Sequence, residues 1–180
     1  GISGDGMVSI GVDEATANTL GLATQIKNSG AIAADGGKVL LTAKAIDGLF
    51  DRAISLEKNA SAVAAVRADN GTIQFQSMDD IYNDAILQAM QGEIKMTSTH
   101  GDVIENGDLL TGHGSIQIQS VAGDVNISKE VTLSGDAILA AGHDIDVTAN
   151  ITASDILRFY ADAKDLSGAS AGGNGAVHQT

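Results

Sequence analysis

The residues best equipped for chemistry in this chain are its carboxylates and its four histidines. Asp102, Asp124 and Asp144 recur at a nearly constant interval, each following Gly or His and preceding Val or Ile. Carboxylates gathered on one face beside Lys or Arg abstract protons and bind uronic acids, as in lyases and hydrolases of polysaccharides. Stacked carboxylates on their own attract calcium. Asp directly after a turn residue more commonly hydrogen-bonds its own backbone, and that turn role is the one expected here. No Gly-Gly-x-Gly-x-Asp nonapeptide or EF-hand loop is present. His100, His113, His143 and His178 lie beside glycine or near the end of the sequence. Two or three of them on one flank would collect a metal, whereas single turn histidines would not. The chain lacks a Gly-x-Ser-x-Gly elbow, a Walker loop and a dinucleotide fingerprint. Thr97, Ser98 and Thr99 are too isolated to form a flat ice-binding array. The expectation is a non-enzyme with no catalytic residue, metal ligand or cofactor.

What would hold the aspartates in line is a repeat. The phrases Gly71-Thr-Ile-Gln-Phe-Gln-Ser77, Gly92-Glu-Ile-Lys-Met-Thr-Ser98 and Gly114-Ser-Ile-Gln-Ile-Gln-Ser120 begin 21 and 22 residues apart, and Gly135 follows after another 21. Each alternates apolar and polar residues, the period of a strand with one buried face. A period near 20 residues points to a solenoid. Two further short apolar segments fall inside each repeat, such as Val103-Ile104 and Leu109-Leu110, or Val125–Ile127 and Val131–Leu133. The expected fold is all-β, a right-handed parallel β-helix with three short strands per coil of 19 to 22 residues. Equivalent strands then stack about 4.8 Å apart. Val103, Val125 and Ile145 form one internal ladder, Leu109, Val131 and Ile151 a second, and Ile73, Ile94 and Ile116 a third, with Phe75, Met96 and Ile118 beside it. The segment from Asp80 to Ala89 has helical character, but register sets Ile81 on Val103 and Leu87 on Leu109, so it is read as two strands.

Composition agrees. Residues 1–180, 43% of them hydrophobic, suffice for a single solenoid domain. Proline is absent, as suits strands paired on both sides, which cannot spare an amide. The 22 glycines fit a chain that turns every few residues. Aromatics at 3% and no tryptophan weaken the case for a small-molecule pocket. With no cysteine, disulfides and thiolate metal sites are excluded. A net charge of −13 disfavours nucleic acid and anionic membranes as partners, and no apolar run is long enough to span a bilayer.

The earlier part is less regular. Gly6-Met-Val-Ser-Ile-Gly-Val12 already has the glycine-then-alternation form, but Asp13 to Leu22 breaks the pattern as an excursion from a corner. The intervals Gly6 to Gly37 and Gly37 to Gly71 exceed one coil, which implies small corner insertions. In the second, Ile46, Leu49, Phe50, Ala53 and Ile54 have the spacing of a short helix covering the solenoid flank. Further on, Ala137–Ala141 and Ile156–Ala161 are too uniformly apolar to say which face is inside. Leu166 to Gly175 reads as a loop, and Gly175-Ala-Val177 as the start of another coil. Altogether about eight coils would give a rod of roughly 40 Å.

The run Ile26-Lys-Asn-Ser-Gly-Ala-Ile-Ala-Ala-Asp-Gly-Gly-Lys-Val-Leu-Leu-Thr-Ala-Lys-Ala45 resembles the secretion-domain end of filamentous haemagglutinin-type exoproteins, the large two-partner-secreted adhesins of Gram-negative bacteria. The resemblance is closest over 25–80, and later coils agree in style more than in wording. It implies an extracellular or cell-surface β-solenoid acting as a rigid adhesin shaft or fibre, exported through an outer-membrane transporter and meeting a host or neighbouring cell. The sequence opens Gly1-Ile-Ser, so a signal peptide is expected to be removed or to lie outside it. Neither end reads as a polar capping helix, so open strand edges are expected to pair with flanking coils or with copies of the chain. A polysaccharide lyase or hydrolase on the same fold is the alternative, as is a domain recognised by the transporter.

Overall fold

A computed structural model describes residues 7–10, 24–28, 31–33, 38–43, 52–56, 65–67, 71–170 and 172–180. Among these, the chain contains twenty strands and no helix. They succeed one another as coils. The first holds β1 (Met7–Ile10), β2 (Thr24–Asn28) and β3 (Ala31–Ala33), and the second β4 (Lys38–Ala43), β5 (Arg52–Leu56) and β6 (Ala65–Arg67). The third holds β7 (Thr72–Ser77), β8 (Ile81–Asn83) and β9 (Ile86–Gln88), and the fourth β10 (Glu93–Ser98), β11 (Val103–Glu105) and β12 (Leu109–Thr111). β13 (Ser115–Ser120), β14 (Val125–Ile127) and β15 (Val131–Leu133) make the fifth, and β16 (Ala137–Ala141), β17 (Ile145–Val147) and β18 (Ile151–Ala153) the sixth. β19 (Leu157–Tyr160) and β20 (Val177–Gln179) open a seventh.

Every third strand pairs in parallel, giving three sheets: A (β1-β4-β7-β10-β13-β16-β19), B (β2-β5-β8-β11-β14-β17-β20) and C (β3-β6-β9-β12-β15-β18). The molecule is a three-sided β-solenoid. Sheets A and B are seven strands high among the described residues, not eight. The longer spacings before Gly71 and the excursion after Tyr160 take up residues that uniform winding would have used. Strands in sheets B and C are mostly three residues long, because each side of the triangle needs only one or two inward side chains before the next corner.

The register matches the sequence reading. Ile94 pairs with Ile73 and Ile116, and Met96 with Phe75 and Ile118. Val125 pairs with Val103 and Ile145, Val103 with Ile81, and Leu109 with Leu87. These side chains are buried, as are Val39 and Leu41 at the same rows. Burying each contributes about 1.5–3 kcal/mol, and each is covered by the coil above and the coil below, so no coil is stable alone. Asp80–Ala89 is the strand pair β8 and β9, as its register required.

The expected helix is corrected. Ala53 and Ile54 lie in β5, where Ile54 pairs with Ile26 and Ile81. Strand partners on both sides satisfy the backbone that a helix would have bonded internally. Ile46, Leu49 and Phe50 lie outside the described residues, as do Asp13 to Leu22.

The ambiguous β16 is resolved by a later segment. Ala137, Leu139 and Ala141 point inward, yet Ala140, on the outward row between Gln119 and Tyr160, is also buried. The chain after β19 folds back as a strap from Asp162 to Ser170. There the Ala163 amide donates to the Ala141 carbonyl at 2.8 Å, Gln119 Nε2 donates to the Lys164 carbonyl at 2.9 Å, and Ala163 and Ser170 form an antiparallel bridge. Gly168 has φ of 80°, and a Cβ there would lie 2.7 Å from the Tyr160 ring. β16 is apolar on both faces because one meets the core and the other the strap. β20 then rejoins sheet B beside β17, continuing the winding.

Candidate functional site

The polar side chains with the best-defined geometry gather at the corners. At the corner from sheet A to sheet B, Oδ1 of Asp80 accepts the Asp102 amide at 2.8 Å, Oδ1 of Asp102 the Asp124 amide at 2.8 Å, and Oδ1 of Asp124 the Asp144 amide at 3.0 Å. Asp144 in turn accepts the Ala176 amide at 2.7 Å. The expected turn role is thus corrected in one respect: these carboxylates bond the backbone of the next coil. The amide that opens each sheet B strand points along the stack, within reach of the aspartate one rung below.

Behind the aspartates runs a serine column that the sequence reading passed over. Ser98 Oγ donates to the Asp79 carbonyl at 2.9 Å and accepts the Gly101 amide at 3.0 Å. Ser120 Oγ donates to the Gly101 carbonyl at 2.7 Å and accepts the Gly123 amide at 2.8 Å. Ser77, Ser98 and Ser120 are all buried. Their shared place at the end of each repeated phrase was the available signal.

The histidines do not converge. His100 and His143 follow sheet A strands, His113 lies at the corner from sheet C to sheet A, and His178 is on β20. His143 Nδ1 is 3.9 Å from Asp124 Oδ1, and His100 Nδ1 is 3.1 Å from Thr99 Oγ1. No group of three or more His, Asp or Glu among the described residues is placed to hold a metal ion.

Among the described residues, the corner from sheet C to sheet A forms a groove. It is built on glycines: a Cβ on Gly92 would sit 1.6 Å from the Gly71 carbonyl oxygen, on Gly114 1.6 Å from that of Gly92, and on Gly135 2.0 Å from that of Gly114. With no side chains filling this edge, a polar groove of about 280 Å³ remains, lined besides the glycines by Gln91, Glu93, His113, Ser115, Asp136 and Asp155. Glu93 pairs with Lys95 at 2.8 Å. Carboxylates and an imidazole could attract cations or exchange protons, but no Arg or Lys lines the groove.

A second buried pair, Asn83 and Glu105, was also missed. The two are register partners in sheet B and both are fully buried. Asn83 Nδ2 donates to Glu105 Oε1 at 2.8 Å and Oε2 at 2.9 Å, and the Gly107 amide donates to Oε1 at 2.7 Å. Burial pushes the Glu105 carboxyl up to about 8, against the pull of the Asn83 and Gly107 hydrogen bonds. Its signal was a carboxylate two residues beyond Val103, at an inward position of its strand.

Compared with protein-family models, curated proteins and solved structures, the chain gives no match.

Proposed function

We propose that the chain is a non-catalytic structural stretch of a secreted exoprotein on the surface of a Gram-negative bacterium, serving as a rigid adhesin shaft or extracellular fibre. The observation that supports this reading is the use made of the polar groups: the aspartate and serine columns bond coil to coil. Seven rungs about 4.8 Å apart form a rod of roughly 30 Å, to which further coils add length. At one end, Leu157 and Val177 occupy core register beside Ala137 and Ile145 yet are 40% and 44% exposed. A flanking coil or a second copy would cover them, and an outer-membrane transporter would be the partner during export.

Electron microscopy of the native material tests this. Uniform thin rods or fibres are the expected result, and compact particles without axial order would overturn it. The enzyme reading would place its site in the groove, where Glu93, Asp136 and Asp155 gather without a lining Lys or Arg. It requires turnover of an acidic polysaccharide that Asp136→Asn abolishes, and such turnover would displace the structural reading. Deleting Ile26 to Ala45 and measuring export tests recognition by a transporter, since a shaft with its secretion signal elsewhere would still be exported.

A further inference from the structure

We propose that buried Glu105, held by Asn83, makes the corner between sheets B and C a pH-sensitive latch, stable while Glu105 carries a proton and weakened by an uncompensated buried charge when the proton is lost. The pair sits between apolar register partners: Asn83 is the partner of Leu56 on one side, and Glu105 that of Ile127 on the other. Neither side chain reaches solvent. Oε1 accepts from both Asn83 and Gly107 and Oε2 from Asn83 alone, so Oε2 keeps a free lone pair for the proton.

The same two residues shape the corner itself. Asn83 Oδ1 accepts the Ala85 amide at 3.0 Å, and Glu105 Oε1 accepts the Gly107 amide, so each side chain closes the turn that follows its own strand. Gly107 also lies tight on the coil below, where a Cβ would come within 2.0 Å of the Ala85 carbonyl oxygen. Strain introduced at Glu105 therefore reaches two turns and two coils.

The charged groups on this corner among the described residues are Asp84, Asp108, Lys129 and Glu130. Asp84 and Asp108 oppose a negative charge on Glu105. Lys129 is engaged with Asp108 at 3.4 Å and is itself 45% exposed. The donors to Glu105 are neutral amides, which offset only part of the cost of burying a carboxylate.

The sign follows from burial. Unfolded Glu105 ionises at its ordinary value near 4.5 and folded Glu105 near 8, so between these the folded chain holds a proton that the unfolded chain has released. The contribution is complete below the lower value, declines as pH rises and is gone above the upper. One proton corresponds to about a tenfold fall in the folding equilibrium constant per pH unit in that window.

The experiment is urea unfolding of the wild type and of Glu105→Gln from pH 5 to 9. The expected result is that the wild type carries this extra decline and the variant, uncharged throughout, does not. Equal pH profiles would overturn the latch. Should Glu105→Gln fail to fold, carbon-13 NMR of the wild-type glutamate carboxyls decides. One carboxyl titrating near pH 8 upholds the proposal, and all of them titrating below pH 6 overturns it.

Discussion

At the scale of single residues, the corners are where the chain tolerates least. Gly114→Ala would force a methyl to within 1.6 Å of the Gly92 carbonyl oxygen, a backbone group that cannot swing aside, so a loss of about 1–3 kcal/mol is expected in urea unfolding. Gly112→Ala meets its nearest atom at 3.0 Å and should be milder in the same assay. In the aspartate column, Asp124→Ala removes the acceptor for the Asp144 amide and should lower stability by about 1–3 kcal/mol, whereas Asp124→Asn keeps an oxygen there and should lose less. In the core, Phe75→Ala should cost about 3–5 kcal/mol. The inward ladders were legible in sequence because each inward residue is apolar and its neighbours along the strand are polar. The serine column and Glu105 were not. A small polar or acidic residue at an inward position looks outward-facing until the backbone groups it bonds, one coil away, are in place.

At the scale of elements, strand existence was legible wherever the repeat was strict, and Asp80–Ala89 shows register deciding correctly against local helical character. The same test applied to Ala53 and Ile54 would have set them in a strand. They were misread because the long interval before Gly71 hid the repeat. Only Leu166 to Ser170 of the strap falls in the stretch that reads as a loop, and nothing local to it says that Ala140 needs a cover; the matching signal lies in β16, apolar on both faces. Asp165 shapes the strap: hydrogen bonds from the Ser167 hydroxyl and amide hold its carboxyl below the ordinary carboxylate range. A lowered value in the folded state means that this contribution is present above the ordinary carboxylate value and fades as acid protonates the folded form. Amide exchange at Ala163, which bonds Ala141, should therefore accelerate relative to the core strands under strongly acidic conditions. Asp165→Ala should show that acceleration at neutral pH.

At the scale of the whole molecule, the backbone hydrogen bonds between strands run along the stack, as do the aspartate and serine contacts. The connections within a coil run around it. A pull from end to end therefore meets the hydrogen bonds one rung at a time, while a sideways bend strains three sheets together. Held between two anchors, the molecule should behave as a shock absorber: stiff against bending, yet releasing under tension one coil after another. Each release of a coil after Gly71 would lengthen it by roughly 70 Å, the reach of about 21 extended residues. Single-molecule force spectroscopy should record a sawtooth with that step for these coils.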